Sequence, residues 1–332
     1  MTGAPRVSAA IAVYNEEAVL PELLRRLTAV LDALPGGPHE IVIADDGSTD
    51  RTAALLSEAV ATHPEIRVVR LSRNFGHQPA LSAALDHTSG DVVVVMDGDL
   101  QDPPESIPRL VEEHLKGFDV VYVRRVRRKE GWLLRLCYFG FYRIMAAAAS
   151  VRLPVDAGDF ALMSRRVVMR LREAREHHRY LRGLRSWVGF RQTGLAIERA
   201  SRHSGRSKYS SLKLIGLALD GLIAFSVAPL RMAAALGLLA IVGSFLFAVY
   251  SVYVRLVLGQ SPQGFTALIL VMTFMSGVQL LFLGVIGEYL GRVYEEVKGR
   301  PQYIVDVVIQ ASPSAAQLPT TQSDSQLSAG RR

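Results

Sequence analysis

Residues 92–105, with the sequence VVVVMDGDLQDPPE, decide how the rest of the chain is read. The run of four valines and a methionine predicts a β-strand buried on both faces, as in a parallel sheet. The strand ends at residues 97–99 (DGD), and the prolines at 103 and 104 prevent regular structure from continuing at once. Two carboxylates this close repel each other unless a cation lies between them, and hard oxygen ligands suit Mg²⁺ or Mn²⁺. On this stretch alone an acidic surface turn is an equally good interpretation, because Asp-Gly is common in turns.

Two uncharged stretches in the second half of the chain are long enough to cross a membrane. The chain has 332 residues and a mean hydropathy of +0.21, and its apolar excess collects beyond Pro229. Residues 232–254 and 265–287 carry no charge. A transmembrane helix takes roughly 20 apolar residues. Two such runs in succession favour a pair of transmembrane helices over buried core helices.

Basic residues flank these two stretches unevenly. The connector at residues 255–264 carries only Arg255, whereas several lysines and arginines precede the first stretch and follow the second. The positive-inside rule therefore predicts that both termini face the cytoplasm. The N-terminus lacks the features of a signal peptide, and the single cysteine, Cys137, excludes an internal disulfide. The net charge of +7 is explained more simply by an anionic membrane surface than by nucleic acid.

The first half of the chain alternates strand patterns with amphipathic helix patterns. We predict strands at residues 7–13, 40–44, 66–71, 92–96 and 119–123. This alternation predicts a doubly wound, mostly parallel sheet, in which ligands bind beyond the carboxyl ends of the strands. Residues 14–17, 45–46 and 97–99 all lie at such ends, and their convergence favours one acidic site over a plain turn.

The loop after the first strand excludes the usual dinucleotide-binding fold. It reads YNEE at residues 14–17, where that fold has G-x-G-x-x-G, and no Walker A loop occurs in the chain. Carboxylates cannot hold a pyrophosphate without a bridging cation. The acidic site therefore favours a sugar nucleotide bound through a metal ion over NAD or ATP.

A basic loop and an aromatic stretch follow the fifth predicted strand. Residues 124–129 read RRVRRK, and residues 132–149 combine apolar and aromatic side chains with arginines. A charge run is usually a solvated loop, but this position favours a helix at the membrane interface with basic groups at headgroup level. Residues 211–230 have the pattern of a second interfacial, amphipathic segment. The Ser-, Gln-, Ala- and Thr-rich tail at residues 311–332 is predicted to be disordered.

Eight short sequence blocks follow one another along the chain. They are VYNEE (13–17), DDGSTD (45–50), RNFGHQPA (73–80), DGDLQDPPE (97–105), GDFALM (158–163), RHSGRSKYS (202–210), PLR (229–231) and GEYLGRVYEEVKGRPQY (287–303). In these blocks the chain resembles glycosyltransferase family 2, and within it the polyprenyl-phosphate glycosyltransferases, from about residue 7 to about residue 308. It departs from that family at Ala12, where proline is frequent, and at Arg124 and Arg127, which make the basic loop denser.

The resemblance implies a GT-A fold, with a Rossmann-like, mostly parallel sheet, interfacial helices and a two-helix transmembrane hairpin. It implies inverting transfer of a sugar from a UDP- or GDP-sugar to a polyprenyl phosphate such as undecaprenyl phosphate, for cell-envelope glycans or lipids. The expected setting is a bacterial inner membrane, with a homo-oligomer such as a tetramer and no nucleic acid partner. We therefore expect a cytoplasmic catalytic domain at residues 1–210, an interfacial segment at 211–230, two transmembrane helices within 231–290, a cytoplasmic segment at 291–310 and a disordered tail.

The resemblance also assigns site residues by position. The nucleotide-sugar side would be formed by Tyr14, Glu16, Asp45, Asp46, Asp97, Gln101, Arg202 and Lys208. Mg²⁺ or Mn²⁺ would be held by Asp97, Asp99 and Gln101, and the acceptor phosphate by Arg125, Arg128 and Arg135. Asp99 and Asp159 would be the catalytic residues. Asp159 is then a general base, a residue that orients a sugar hydroxyl or an arginine, or part of a structural turn.

The lipid phosphate would itself be the nucleophile. Its second pKa is about 6, so at neutral pH it is mostly dianionic and a general base is not strictly needed. His77 either contacts the diphosphate or has a capping or packing role. Two other functions share the acidic motifs: a processive polysaccharide synthase, which would carry a Q-x-x-R-W motif and more spans, and a non-catalytic membrane sensor of sugar nucleotides.

Overall fold

The computed structural model describes residues 3–125, 157–174, 176–177, 179–197, 228–257 and 264–311. The strands are β1 (Val7–Val13), β2 (Glu40–Asp45), β3 (Ile66–Leu71), β4 (Val92–Asp97), β5 (Val120–Arg125), β6 (Ala157–Ser164), β7 (Gln192–Ile197) and β8 (Val305–Gln310). The helices are α1 (Leu20–Asp32), α2 (Thr52–Thr62), α3 (His77–Asp86), α4 (Ile107–Leu115), α5 (Arg165–Glu173), α6 (Leu181–Trp187), α7 (Ala228–Val257) and α8 (Phe265–Val297). The predicted helix at 132–149, nearly all of the interfacial segment at 211–230 and the tail beyond residue 311 lie outside the described residues.

All of these strands join one mixed sheet in the order β7-β5-β6-β4-β1-β2-β3-β8. The pairs β1–β2, β1–β4, β2–β3 and β5–β7 are parallel, whereas β6 and β8 run antiparallel to their neighbours. The prediction of a mostly parallel sheet is confirmed, and β1 to β5 occupy the five predicted strand positions. Strands β6, β7 and β8 have no counterpart among the predicted strands. The GDFALM block, for which a structural turn was one alternative, forms β6.

The central strands are buried because helices cover both faces of the sheet. Side chains alternate along β1, so that Ile11 faces one hydrophobic layer and Ala10 faces the other. The first layer packs against α1, α2 and α4, for example through Leu23. The second packs against α3, α5 and α6, for example through Leu81 and Leu184. This double burial explains why β1 and β4 read as continuous apolar runs.

Helices α7 and α8 contain the two uncharged stretches. Within them, Ala233–Val254 (22 residues) and Val271–Val297 (27 residues) are long and apolar enough to cross a membrane. Their apolar side chains are exposed rather than buried in the fold: Leu239 is 72% exposed and Leu280 is 70% exposed. The structure therefore has the two helices that the sequence predicts, and they do not form part of a soluble core.

The segment after α8 returns to the sheet and is fastened to it. The backbone N–H of His177 donates to Glu296 Oε2 at 2.9 Å, and Gln302 Nε2 donates to the carbonyl oxygen of Glu176. The Tyr303 hydroxyl donates to Asp86 Oδ2 at 2.6 Å, after which β8 pairs with β3. These contacts attach the end of the second membrane-length helix to the sheet that carries the cleft described below.

The buried carboxylate of Glu40 links the beginnings of β1 and β2 to the loop before β4. Glu40, 5% exposed, accepts hydrogen bonds from Ser8 Oγ at 2.5 Å, Ser89 Oγ at 2.9 Å and the Gly90 backbone N–H at 3.2 Å. Burial acts to raise the pKa of Glu40, but the hydrogen bonds from Ser8 and Ser89 and the nearby charge of Arg6 outweigh it and lower the pKa. The ionised form therefore stabilises the fold.

We predict that Glu40→Gln lowers the melting temperature of the full chain in detergent by roughly 5 °C, because the amide places a donor against donors. Because the folded-state pKa of Glu40 lies below 4.5, its contribution is present above pH 4.5 and is lost as the pH falls. Melting curves between neutral and acidic pH test both points. The exposed Glu58→Gln is the matched control, and an equal shift in the two variants would contradict the assignment.

Candidate active site

The carboxyl ends of β1, β2 and β4 lie side by side at one edge of the sheet. Val13 is paired with Asp45 of β2, and Ala12 is paired with Asp97 of β4. Strand β6 is antiparallel to β4, with Val95 opposite Ala161, and continuing this register sets Asp159 opposite Asp97. A cleft of about 440 Å³ opens at this edge, and its polar lining consists of Tyr14, Glu16, Asp46, Asn74, His77, Asp97, Asp99 and Asp159.

The two aspartates at the end of β2 have different positions. Asp45 is fully buried, and its Oδ1 accepts the backbone N–H of Ser48 at 3.0 Å. Asp46 lines the cleft, and its two oxygens accept the backbone N–H groups of Phe75 at 2.7 Å and Gly76 at 2.9 Å. Burial raises the pKa of the Asp46 carboxyl despite these hydrogen bonds. Of the two residues predicted to face the nucleotide, the structure therefore places Asp46 in the cleft and Asp45 beneath it.

The loop after β1 interlocks with the turn after β2. Asn15 adopts a left-handed conformation with φ of 54°, which asparagine tolerates better than most residues. Its backbone N–H donates to Ser48 Oγ at 3.0 Å, and its Oδ1 accepts the Thr49 N–H at 2.8 Å. The Glu16 N–H donates to Thr52 Oγ1 at 2.9 Å. These contacts, which the sequence analysis did not predict, fix the loop that presents Tyr14 and Glu16 to the cleft.

A sharp bend after β4 presents the predicted metal ligands. A Cβ on Gly98 would lie 2.9 Å from Val13 Cγ1, so this close approach of β4 to β1 requires glycine. Leu100 has a φ of 56°, an uncommon conformation for leucine, and its buried side chain helps to hold it. Asp99 Oδ1 accepts the backbone N–H of Gln101 at 3.0 Å. The bend brings Asp97 and Asp99 to the same cleft.

The imidazole of His77 lies beside these carboxylates in the cleft. Its Nε2 lies 3.0 Å from Asp97 Oδ1. The pKa of His77 is raised, first by this hydrogen bond and then by the negative charges of Asp97, Asp159 and Asp46, which together outweigh burial. The structure thus places His77 in the cleft, at the beginning of α3, in contact with Asp97 rather than in a purely packing position.

The residues present fit a divalent cation that also binds a diphosphate. Within the described ranges, no group of three His, Cys, Asp or Glu side chains is placed to hold a metal ion by itself. Asp97 and Asp99 flank one glycine and line the cleft. Gln101 is buried and is not part of the cleft lining, and its Nε2 has no hydrogen-bond partner among the described residues. Mg²⁺ is commonly bound by one or two carboxylates together with phosphates and water. Such a ligand set needs no third acidic side chain.

Asp159 is held by an arginine that the sequence analysis did not identify. Arg182 Nη2 donates to Asp159 Oδ2 at 2.7 Å, and Arg182 Nε donates to Asp159 Oδ1 at 3.3 Å. Asp159 lies within β6, so it does not belong to a structural turn. Of the roles considered for Asp159, the observed contact matches the pairing with an arginine.

Of the predicted basic phosphate-binding residues, only Arg125 lies within the described ranges. Arg125 ends β5 at the same edge of the sheet as the cleft, because β5 runs parallel to β4 through their shared neighbour β6. Arg128, Arg135, Arg202 and Lys208 lie outside the described residues. Their roles remain predictions.

The mixed sheet has an acidic cleft beyond its strand ends, and two helices long and apolar enough to cross a membrane follow the cleft residues in the chain. Residues 8–172 match the family described as Glycosyl transferase family 2. The chain is 40% identical over 299 residues to the uncharacterized glycosyltransferase YkcC of Bacillus subtilis, covering 90% of this chain and 92% of the relative.

Two further relatives match over nearly their whole length. The SfII prophage-derived bactoprenol glucosyl transferase of Shigella flexneri is 37% identical, covering 93% of this chain and 100% of the relative. The undecaprenyl-phosphate 4-deoxy-4-formamido-L-arabinose transferase of Pseudomonas paraeruginosa is 38% identical, covering 93% and 92%. The chain belongs to glycosyl transferase family 2, which confirms the predicted family and its GT-A fold.

We predict that Asp46→Asn weakens binding of UDP or GDP roughly tenfold, because the amide leaves one of the two backbone N–H groups without an acceptor. Titration of UDP and GDP into the detergent-solubilised full chain measures this effect. Asp32→Asn, an exposed substitution on α1, is the control. Unchanged affinity in Asp46→Asn would show that the loop at residues 73–76 does not depend on this carboxylate.

Proposed function

We propose that this chain transfers a sugar from a UDP- or GDP-sugar to a polyprenyl phosphate at the cytoplasmic face of a bacterial inner membrane, with inversion at the anomeric carbon. The observation that carries this proposal is the match to bactoprenol glucosyl transferase over the whole length of that relative. The acidic cleft and the two membrane-length helices are the parts that such a reaction requires.

Asp97, Asp99 and Gln101 would hold Mg²⁺ or Mn²⁺. When bound, the cation offsets the repulsion between these carboxylates and the diphosphate and stabilises charge on the leaving nucleoside diphosphate. The buried Nε2 of Gln101 has no hydrogen-bond partner in the described part of the chain, and it is a donor that a diphosphate oxygen would satisfy. Arg202 and Lys208 would add positive charge from the second half of the chain.

The nucleotide would bind at the ends of β1 and β2. Tyr14 is 44% exposed and presents an aromatic face at the cleft, with Glu16 beside it. Asp46 accepts hydrogen bonds from the backbone N–H groups of residues 75 and 76 and so fixes that loop. Asp45 would contribute by fixing the turn through Ser48. Donor binding would thus depend on loops that are already ordered by hydrogen bonds.

The acceptor phosphate would be received by Arg125, Arg128 and Arg135. These arginines would offset the repulsion between two phosphate groups that must approach each other, so that positioning supplies much of the rate. The phosphate dianion attacks the anomeric carbon as the nucleoside diphosphate leaves from the opposite side. No proton has to be removed from the nucleophile, so Asp159 would serve as an orienting group rather than as a base.

The two other functions are less well supported. A processive polysaccharide synthase would share the acidic cleft, but relatives that match this chain almost end to end have names that describe transfer to a lipid. A non-catalytic sensor would bind sugar nucleotides without turnover. We propose that both termini are cytoplasmic, because the connector at residues 255–264 carries only Arg255, whereas several lysines and arginines precede the first uncharged stretch and follow the second. We also propose that copies associate as a homo-oligomer.

We predict that the full chain in detergent transfers sugar from one member of a panel of labelled UDP- and GDP-sugars to undecaprenyl phosphate. Transfer should be abolished by chelation of divalent cations, and Asp99→Asn should reduce it by a factor on the order of a thousand, because the developing charge loses its stabilisation. The exposed Glu112→Gln on α4 should leave the rate unchanged. Production of labelled lipid is measured by extraction and chromatography.

The outcomes separate the three functions. Labelled lipid phosphate-sugar supports the proposal and names the donor. A growing glycan instead of a single sugar would indicate a processive synthase. Metal-dependent nucleotide binding without product from any donor would favour a sensor, and the absence of nucleotide binding would contradict the proposal.

A further inference from the structure

Asp159 and Arg182 form an ion pair in which only the aspartate lines the cleft. The Arg182 side chain is 28% exposed and the Asp159 side chain is 18% exposed, so the pair is partly shielded from water. Two nitrogens of the guanidinium contact two oxygens of the carboxylate, at 2.7 and 3.3 Å. Paired contacts of this kind fix the orientation of the carboxylate as well as its charge.

A second arginine of α6 fixes the backbone beside Asp159. Arg185 lies one turn after Arg182, is 3% exposed and donates from Nη2 to the carbonyl oxygen of Gly158 at 3.2 Å. Its guanidinium lies 5.6 Å from the centre of the Tyr122 ring. Burial lowers the pKa of Arg185 to about 10, so it remains charged at neutral pH. The helix therefore holds both the main chain and the side chain at this position.

The beginning of α6 is attached to the other wall of the cleft. The backbone N–H of Leu181 donates to Gln78 Oε1 at 3.0 Å. Gln78 follows His77, which contacts Asp97. The position of Arg182 is thus set relative to α3 and to the predicted metal ligand as well as to β6. This arrangement leaves Asp159 little freedom to reorient.

We propose that Arg182 is a positioning residue for sugar transfer, which fixes the Asp159 carboxylate as a hydrogen-bond acceptor for a hydroxyl group of the donor sugar. This inference rests on the proposed function. The Asp159 oxygens retain lone pairs that can accept a further hydrogen bond while the ion pair holds the carboxylate in place. The register of β6 places Asp159 opposite Asp97, where the diphosphate would end and the sugar would begin. Arg182 then acts on the sugar only through Asp159.

The test compares four variants of the full chain with the wild type. Arg182→Gln removes the ion pair, Arg182→Lys keeps the charge without the two-pronged contact, and Asp159→Asn removes the acceptor charge. The fourth is the double variant that combines Arg182→Gln with Asp159→Asn. Arg170→Gln, an exposed arginine of α5 that pairs with Glu173, is the matched control. For each we would measure kcat, the KM of donor and acceptor, the melting temperature, and the affinity for nucleoside diphosphate with Mn²⁺.

We expect Arg182→Gln to lower kcat/KM for the donor about 100-fold, because small displacements of a positioning group are costly. Its affinity for the nucleoside diphosphate and its KM for the acceptor should be unchanged, since neither ligand carries the sugar hydroxyl. Arg182→Lys should fall between Arg182→Gln and wild type. The double variant should transfer sugar no more slowly than Asp159→Asn, because the two residues act through one contact.

Three results would overturn the inference. If the arginine acted independently, the fold-reductions in kcat/KM caused by Arg182→Gln and by Asp159→Asn would multiply in the double variant. Nucleotide affinity would fall together with transfer if Arg182 only held the fold. Equal rates in Arg182→Gln and Arg170→Gln would show no role at all. If Arg182→Gln fails to fold, Arg182→Lys decides the question: slower transfer with unchanged nucleotide affinity supports the inference, and a wild-type rate contradicts it.

The same measurements separate this inference from the function on which it rests. If the wild type transfers no sugar to any lipid phosphate, the proposed function fails before the variants are compared. If the wild type is active and the Arg182 variants behave like Arg170→Gln, the function stands and only the role of Arg182 is refuted.

Discussion

The mutual repulsion of carboxylates at one edge of the sheet is the constraint on which this structure depends. Five of them line one cleft of about 440 Å³: Glu16, Asp46, Asp97, Asp99 and Asp159. Asp46 and Asp99 accept hydrogen bonds from backbone N–H groups, Asp97 contacts a histidine, and Asp159 contacts an arginine. The acidic groups are therefore oriented before a ligand binds, which reduces the reorganisation that binding a cation and a diphosphate requires.

Much of this arrangement could be predicted from the sequence, because parallel strands place their carboxyl ends at the same edge. The remainder depends on long-range contacts. β8 pairs with β3 across more than two hundred residues, and no local pattern indicates this pairing. Asp45 and Asp46 are adjacent and both are buried, but only Asp46 lines the cleft, because side chains alternate at a strand end. Arg182 lies in an arginine-rich stretch where no spacing distinguishes it from its neighbours.

The structure also connects the cleft to the membrane-length helices. Contacts of Glu296 and Tyr303, followed by β8, attach the end of α8 to the sheet. Glu176 and His177 contact this attachment, and Leu181 and Arg182 contact Gln78 and Asp159. A lipid acceptor cannot leave the bilayer, so an enzyme that uses one gains from a catalytic cleft held at a fixed position relative to its membrane helices.

The central claim is that Asp97 and Asp99 hold a divalent cation that binds the donor diphosphate. Anomalous diffraction at the manganese edge, from crystals of the full chain with Mn²⁺ and the nucleoside diphosphate, tests it most directly. The account predicts one strong peak in contact with both carboxylates and with the diphosphate oxygens. A nucleotide bound in the cleft with no manganese at these two residues, or with manganese elsewhere, would contradict it.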